Sequence, residues 1–139
     1  SACYGMRYWV PMLRNTLMKL LNRSALMLLP LAPYLEWING LPAEVSELQQ
    51  PLPAGALDAE GRVYLVAEFD ADSSQEDALS QVLAEHWLAL LENELGAWDE
   101  LALHWPEPLS QELLQQWFEI KPLALAFDAS HKVLMTAVL

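Results

Sequence analysis

The chain reads as an α+β protein, a small mixed β-sheet with helices packed mainly on one face. Two observations predict this. Short apolar runs at residues 24–29, 62–69 and 123–127, bounded by proline or turn residues, have the length and composition of strands. Leu79, Val82, Leu83, Trp87, Leu90 and Leu91 recur at three- and four-residue spacing, the pattern of one long amphipathic helix. The resulting order is strand, short helix, strand, long helix, helix, strand, strand. In it the long helix can return strand 62–69 to a neighbour, and the last two strands can pair as a hairpin.

A chain of 139 residues with 54% apolar composition fits one domain able to bury its own core. We divide it into a basic, apolar leader over residues 1–21 and a single domain over residues 22–139. In the leader, Trp9, Val10, Leu13, Leu17, Leu20 and Leu21 offer a helical stripe that could dock on the body or on a neighbouring chain. Arg14, Lys19 and Arg23 with Pro11 argue against a membrane span, since each buried basic residue costs about 2.5–3.5 kcal/mol on insertion scales. Met18 offers a natural start, which would make residues 1–17 an upstream addition.

Ser24 to Leu29 is an apolar run stopped by Pro30 and suits a buried strand. Pro33 fits the first turn of a helix, where its missing N–H has no intrahelical partner, and Gly40 can take the left-handed cap behind Asn39. Residues 41–60, with Pro42, Pro51, Pro53 and Gly55, read as a loop with one helical turn near 44–48. Residues 62–69, partly β-branched and aromatic, are expected to form the central strand. Ser73 with Glu76, and Ser74 with Asp77, both have capping-box spacing ahead of a helix over about residues 75–95, ended by Gly96. Residues 97–108 form a connector holding Trp98 and Trp105-Pro106. Ser110 can cap a second helix with Leu113, Leu114, Trp117 and Phe118 on one face and Pro122 closing it. A buried strand over 123–127, a turn at Asp128-Ala129-Ser130 and an edge strand over 132–138 complete the reading.

Seven basic residues face 19 acids, for a net charge of −12. All the acids follow residue 35, where Arg62, Lys121 and Lys132 are the only cations, so a phosphate backbone would be repelled and direct nucleic-acid binding is not expected. Cys3 is alone, which forbids an intrachain disulfide and fits a reducing cytoplasm. No cofactor motif stands out, because the five glycines are scattered and neither a phosphate loop nor a nucleophile elbow occurs. No metal site is expected. Asp70-Ala71-Asp72 opens like a calcium loop, but Gln75 and Gln81 stand where that loop needs glycine and glutamate.

The candidate catalytic groups are His104 with Glu107 in the connector, and His86 with Glu85 or Glu92 on the long helix. Each places an imidazole near a carboxylate, the minimum for acid–base chemistry, but the same residues read more readily as loop and helix-surface polar groups. Trp98 and Trp105 are the candidate binding residues. They read either as a lid over the core or as aromatic anchors rimmed by Asp99, Glu100 and Glu107, since tryptophan is enriched among interface hot spots.

Asn22-Arg23-Ser24-Ala25-Leu26, Pro33 with Trp37, Val63-Tyr64-Leu65 with Glu68, Trp98, Trp105-Pro106, Trp117-Phe118 and Asp128 resemble a set of short, acidic bacterial proteins of uncharacterised activity. The resemblance spans about residues 22–128 and implies a start near Met18. It brings no activity or catalytic residues with it. Taken together, the sequence points to a cytoplasmic protein that works by binding a protein partner or a second copy of itself. The alternatives are a small hydrolase or transferase using a His/Glu pair, and an acidic nucleic-acid mimic.

Overall fold

The computed structural model describes residues 17–70 and 72–139. Ten elements follow one another: β1 (Lys19–Leu20), β2 (Ser24–Pro30), α1 (Ala32–Gly40), α2 (Ala43–Ser46), a 3-10 turn (Asp58–Glu60), β3 (Arg62–Val66), α3 (Gln75–Gly96), α4 (Gln111–Trp117), β4 (Phe118–Leu123) and β5 (Phe127–Asp128). The architecture is α+β, as the sequence implies.

The sheet itself departs from expectation. Its order is β3-β2-β4, and both pairings are antiparallel, so it is antiparallel throughout rather than mixed. β2, not residues 62–69, is the central strand. The reason is visible in burial. Residues 24–26 and 28 of β2 are all buried, whereas β3 alternates and leaves Val63 and Leu65 to solvent. β2 is shielded along both edges by the flanking strands, whereas β3, at the margin of the sheet, is shielded along one. The long helix therefore carries the chain across β2, to its far edge.

Register assigns the faces. Leu26 lies opposite Tyr64 and Pro122, Leu28 opposite Arg62 and Ile120, and Pro30 opposite Phe118. These side chains point toward the helices, where Leu26, Leu28 and Phe118 join Tyr34 and Ile38 of α1, Leu90, Leu91 and Leu95 of α3, and Leu114 of α4 in one core. The apolar stripe read from residues 79–91 is thus the inward face of α3, lengthened by Ala78, Glu94 and Leu95. Ser74 caps that helix by accepting from Asp77 N at 3.1 Å, and Ser110 caps α4 by accepting from Leu113 N at 3.0 Å. Between α1, α4 and β4, Tyr34 meets Phe118 with ring centroids 4.6 Å apart, and Trp37 meets Trp117 at 5.8 Å. Tilted aromatic packing of this kind adds to the area buried.

α4 is shorter than its sequence suggests. Phe118 enters β4 instead of closing the helix, because Phe118, Ile120 and Pro122 alternate inward with Glu119 and Lys121 outward. Pro122 is tolerated there since β4 is an edge strand. Residues 123–127 contribute the end of β4 and half of the two-residue β5. The strand anticipated over 132–138 is absent, and those residues are exposed without regular structure. Leu20, placed in a leader helix by its spacing, lies instead in β1; the rest of that stripe up to Leu13 falls outside the described residues.

β1 and β5 extend the β2–β4 ladder past an irregularity. Ala25 pairs with Leu123, and Leu20 pairs with Phe127, so four residues on one side face three on the other. One extra residue on one strand is a bulge, which leaves ladder groups needing other partners. Ser24 supplies one for Ala124 and also serves a backbone group past the end of β3. Its buried hydroxyl donates to Ala124 O at 2.9 Å and accepts from Phe69 N at 3.0 Å. Ser24→Ala strips both groups of that partner and is expected to cost about 1–3 kcal/mol. Urea denaturation should show this as a lower midpoint with an unchanged slope.

Candidate functional site

Two carboxylates are buried in this acidic chain, Glu94 and Asp99, and each organises a constellation. Glu94 continues the inward stripe of α3, four residues after Leu90. Tyr64 of β3 donates its hydroxyl to Glu94 Oε2. Asn93 Nδ2 donates to that same phenol oxygen at 2.9 Å, and Arg62 Nε stands 3.5 Å from Glu94 Oε1. Tyr34 of α1 donates to the Glu94 backbone carbonyl at 2.7 Å. Burial pushes the Glu94 carboxyl above the usual carboxylate range, against the opposing pull of the Tyr64 hydrogen bond and the Arg62 charge. Burial, reinforced by Glu94, also raises both the Tyr34 and Tyr64 phenols, which stay neutral. No buried side-chain nitrogen or oxygen lacks a partner among the described residues. The cluster braces the sheet against the long helix, with Arg62 at its solvent margin.

Asp99 opens the connector that follows α3. Its carboxylate accepts from Leu103 N at 3.2 Å and from His104 N at 2.7 Å, and its carbonyl accepts from Trp105 Nε1 at 2.9 Å. Ala102 N donates to the same carbonyl at 3.1 Å. Trp37 Nε1, from α1, donates to His104 O at 3.1 Å and ties the turn to the aromatic cluster. This network bends the chain so sharply that Ala102 takes φ 58°, in the left-handed region that disfavours a side chain. The product is a tight turn that holds Leu101 and Leu103 outward, 76% and 66% exposed, beside the exposed Glu100.

The sequence-derived candidates are distributed as follows. Trp98 and Trp105 are half-buried and pack against the core, with Trp105 fixed by its bond to Asp99. His104 Nδ1 lies 3.9 Å from Asp99 Oδ2, and no ion pair joins it to Glu107. His86 Nε2 lies 3.3 Å from Glu85 Oε2, its immediate neighbour on the helix, and both side chains are substantially exposed. Glu92 is exposed and makes no ion pair with His86. Clefts of about 110, 140 and 360 Å³ are among those that open on the described residues, and none of these is lined by a histidine. Among the described residues no group of three or more His, Cys, Asp or Glu is placed to hold a metal ion. The Asp70 segment forms a turn in which Asp70 Oδ1 accepts from Asp72 N at 2.9 Å. No described helix is long and apolar enough to cross a membrane.

Sequence reasoning passed over Glu94, Leu101 and Leu103, and set Asp99 on a polar rim around the tryptophans, whereas its side chain is buried. Glu94 was recoverable, since it falls in the apolar stripe where a solvated acid does not belong. Asp99 carries no such signal, because its partners are backbone groups of a turn that only the folded connector creates.

The fold and this turn define a small α+β protein with a one-sided antiparallel sheet and a braced apolar turn on its helical side. No family model, curated protein or solved structure matches the chain.

A carboxyl that holds its proton more tightly in the folded chain stabilises the fold below its ordinary range and loses that contribution as pH rises through its raised native value. Wild type is therefore expected to lose stability relative to Glu94→Gln as pH climbs upward from about 4.5. Chemical denaturation of both proteins across a pH series measures the difference. At the turn, Ala102→Gly should hold or raise the melting temperature. Ala102→Val should lower stability by about 1–2 kcal/mol relative to the glycine variant, because only glycine adopts that φ freely.

Proposed function

We propose that the protein is a non-enzymatic, cytoplasmic binding protein, and that the Leu101–Leu103 turn is the surface it presents to a protein partner. One observation carries this reading. Two leucines stand in solvent on a turn that a buried carboxylate holds against backbone strain, so the fold maintains at some cost a feature that contributes little to its own core. Apolar side chains pre-positioned on a rigid element lose little entropy on docking.

The chemistry of the partner follows from the charge. Glu100 flanks the leucines, Glu107 lies exposed further along the connector, and the whole chain carries −12. The fitting partner has a shallow apolar groove bordered by Lys or Arg, whose attraction to this surface accelerates encounter and weakens with salt. Trp98 and Trp105 act in this reading as the base on which the turn rests. The resemblance to short acidic bacterial proteins is compatible with such a role.

A photo-crosslinking residue at position 101, introduced in the native host, tests the idea. The expected result is one discrete adduct whose protein, once purified, binds wild type and loses at least tenfold affinity for Leu101→Ser/Leu103→Ser. That double variant should keep the wild-type circular dichroism, since both side chains are exposed. Absence of an adduct, or equal binding by the folded double variant, overturns the proposal.

A further inference from the structure

The side of the sheet turned away from the helices is a second apolar surface, separate from the connector. Register places Ala25, Met27 and Leu29 of β2 on it, with Leu65 and Val63 of β3 beside Ala25 and Met27, and Leu123, Lys121 and Glu119 of β4 on the other flank. Val63 is 60% exposed, Leu65 47% and Leu123 39%. A three-stranded face of this kind is ordinarily covered by another layer.

We infer that this face is the contact between two copies of the chain, packed sheet to sheet about a two-fold axis. The argument is its charge. In a chain with 19 acids and seven bases, this surface carries one of each, Glu119 and Lys121, both exposed and two residues apart on one strand. A basic partner would find its complement elsewhere, on the acidic remainder. A two-fold that runs one β4 antiparallel over the other sets Lys121 of each copy against Glu119 of its mate, two reciprocal pairs from one patch. Self-complementarity of that kind is what an isologous interface requires. The β2 rows then meet about the same axis, Met27 of each copy over Leu29 of its mate, with Val63 at the margin of the contact, at the usual sheet-to-sheet spacing of about 10 Å.

The footprint is modest. Three strands about 4.8 Å apart and six residues long give about 14 by 20 Å, well below the roughly 800 Å² per partner of a standard interface. A contact this small is expected to hold the dimer only at high protein concentration.

Sedimentation equilibrium on the full chain, from about 1 μM to about 1 mM, decides the matter. Wild type should self-associate across that range. Glu119→Lys and Lys121→Glu should each weaken the dimer about tenfold, and the exchanged double variant, whose net charge equals that of wild type, should return to within about threefold. Glu119→Lys is the sharp case, because it lowers overall repulsion between two acidic chains and would strengthen any association that did not use this pair. Leu101→Ser/Leu103→Ser should dimerise normally, which separates this surface from the connector turn. A wild type that stays monomeric throughout, a Glu119→Lys variant that associates more tightly, or a double variant no better than the singles overturns the inference.

Discussion

Every layer of the protein is anchored to β2, the one described strand paired on both edges. Its helix-facing residues Leu26 and Leu28 are fully buried, and its two ladders hold β3 and β4, which do not pair with each other. The partner strand β4 arrives some 90 residues later, after α3 and α4. The ladder is therefore a long-range closure that becomes favourable only once the helices supply the other half of the core. Ser24 matters out of proportion to its size because it stands where that ladder slips by one residue. A single hydroxyl there reconciles the two registers by serving groups from two other segments of chain.

The two buried acids show different answers to one electrostatic problem. Removing a carboxylate from water is unfavourable unless donors replace the lost hydration. Glu94 meets this with side chains gathered from β3 and α3, a phenol, an amide one step removed and an arginine that reaches toward solvent. Asp99 meets it with backbone N–H groups, and in doing so dictates the path of the chain that carries them. The first arrangement fixes a helix to a sheet. The second shapes a turn, and the aromatic cluster of Tyr34, Trp37, Trp117 and Phe118 receives that turn through the Trp37 indole.

Much of the fold was legible because helices and turns are announced by local chemistry. The stripe of α3, its Ser74 cap, the Ser110 cap and the proline-opened α1 are all decided within a few neighbouring residues. Strand order is a different matter. Nothing local in Arg62–Val66 says whether it lies inside a sheet or at its edge, and only its alternation beside the unbroken run of β2 separates the two. Trp117-Phe118 is ambiguous for a similar reason, since adjacent apolar residues satisfy a helix ending and a strand beginning equally well. The site was harder still. Trp98 and Trp105 drew attention by residue type, yet the exposed side chains of the connector are leucines, and a leucine in a sequence gives no sign of being left in water.

The two margins of the sheet are unequally protected. β4 presents a proline, which cannot donate to an added strand, together with outward charges of both signs at Glu119 and Lys121. Such residues are common gatekeepers against edge-to-edge pairing. β3 has no proline, and its outward residues are Val63 and Leu65, both exposed. Among the described residues its edge has no neighbouring strand, which makes it the weaker seam, the place where crowding or partial melting would recruit stray strands and begin an aggregate.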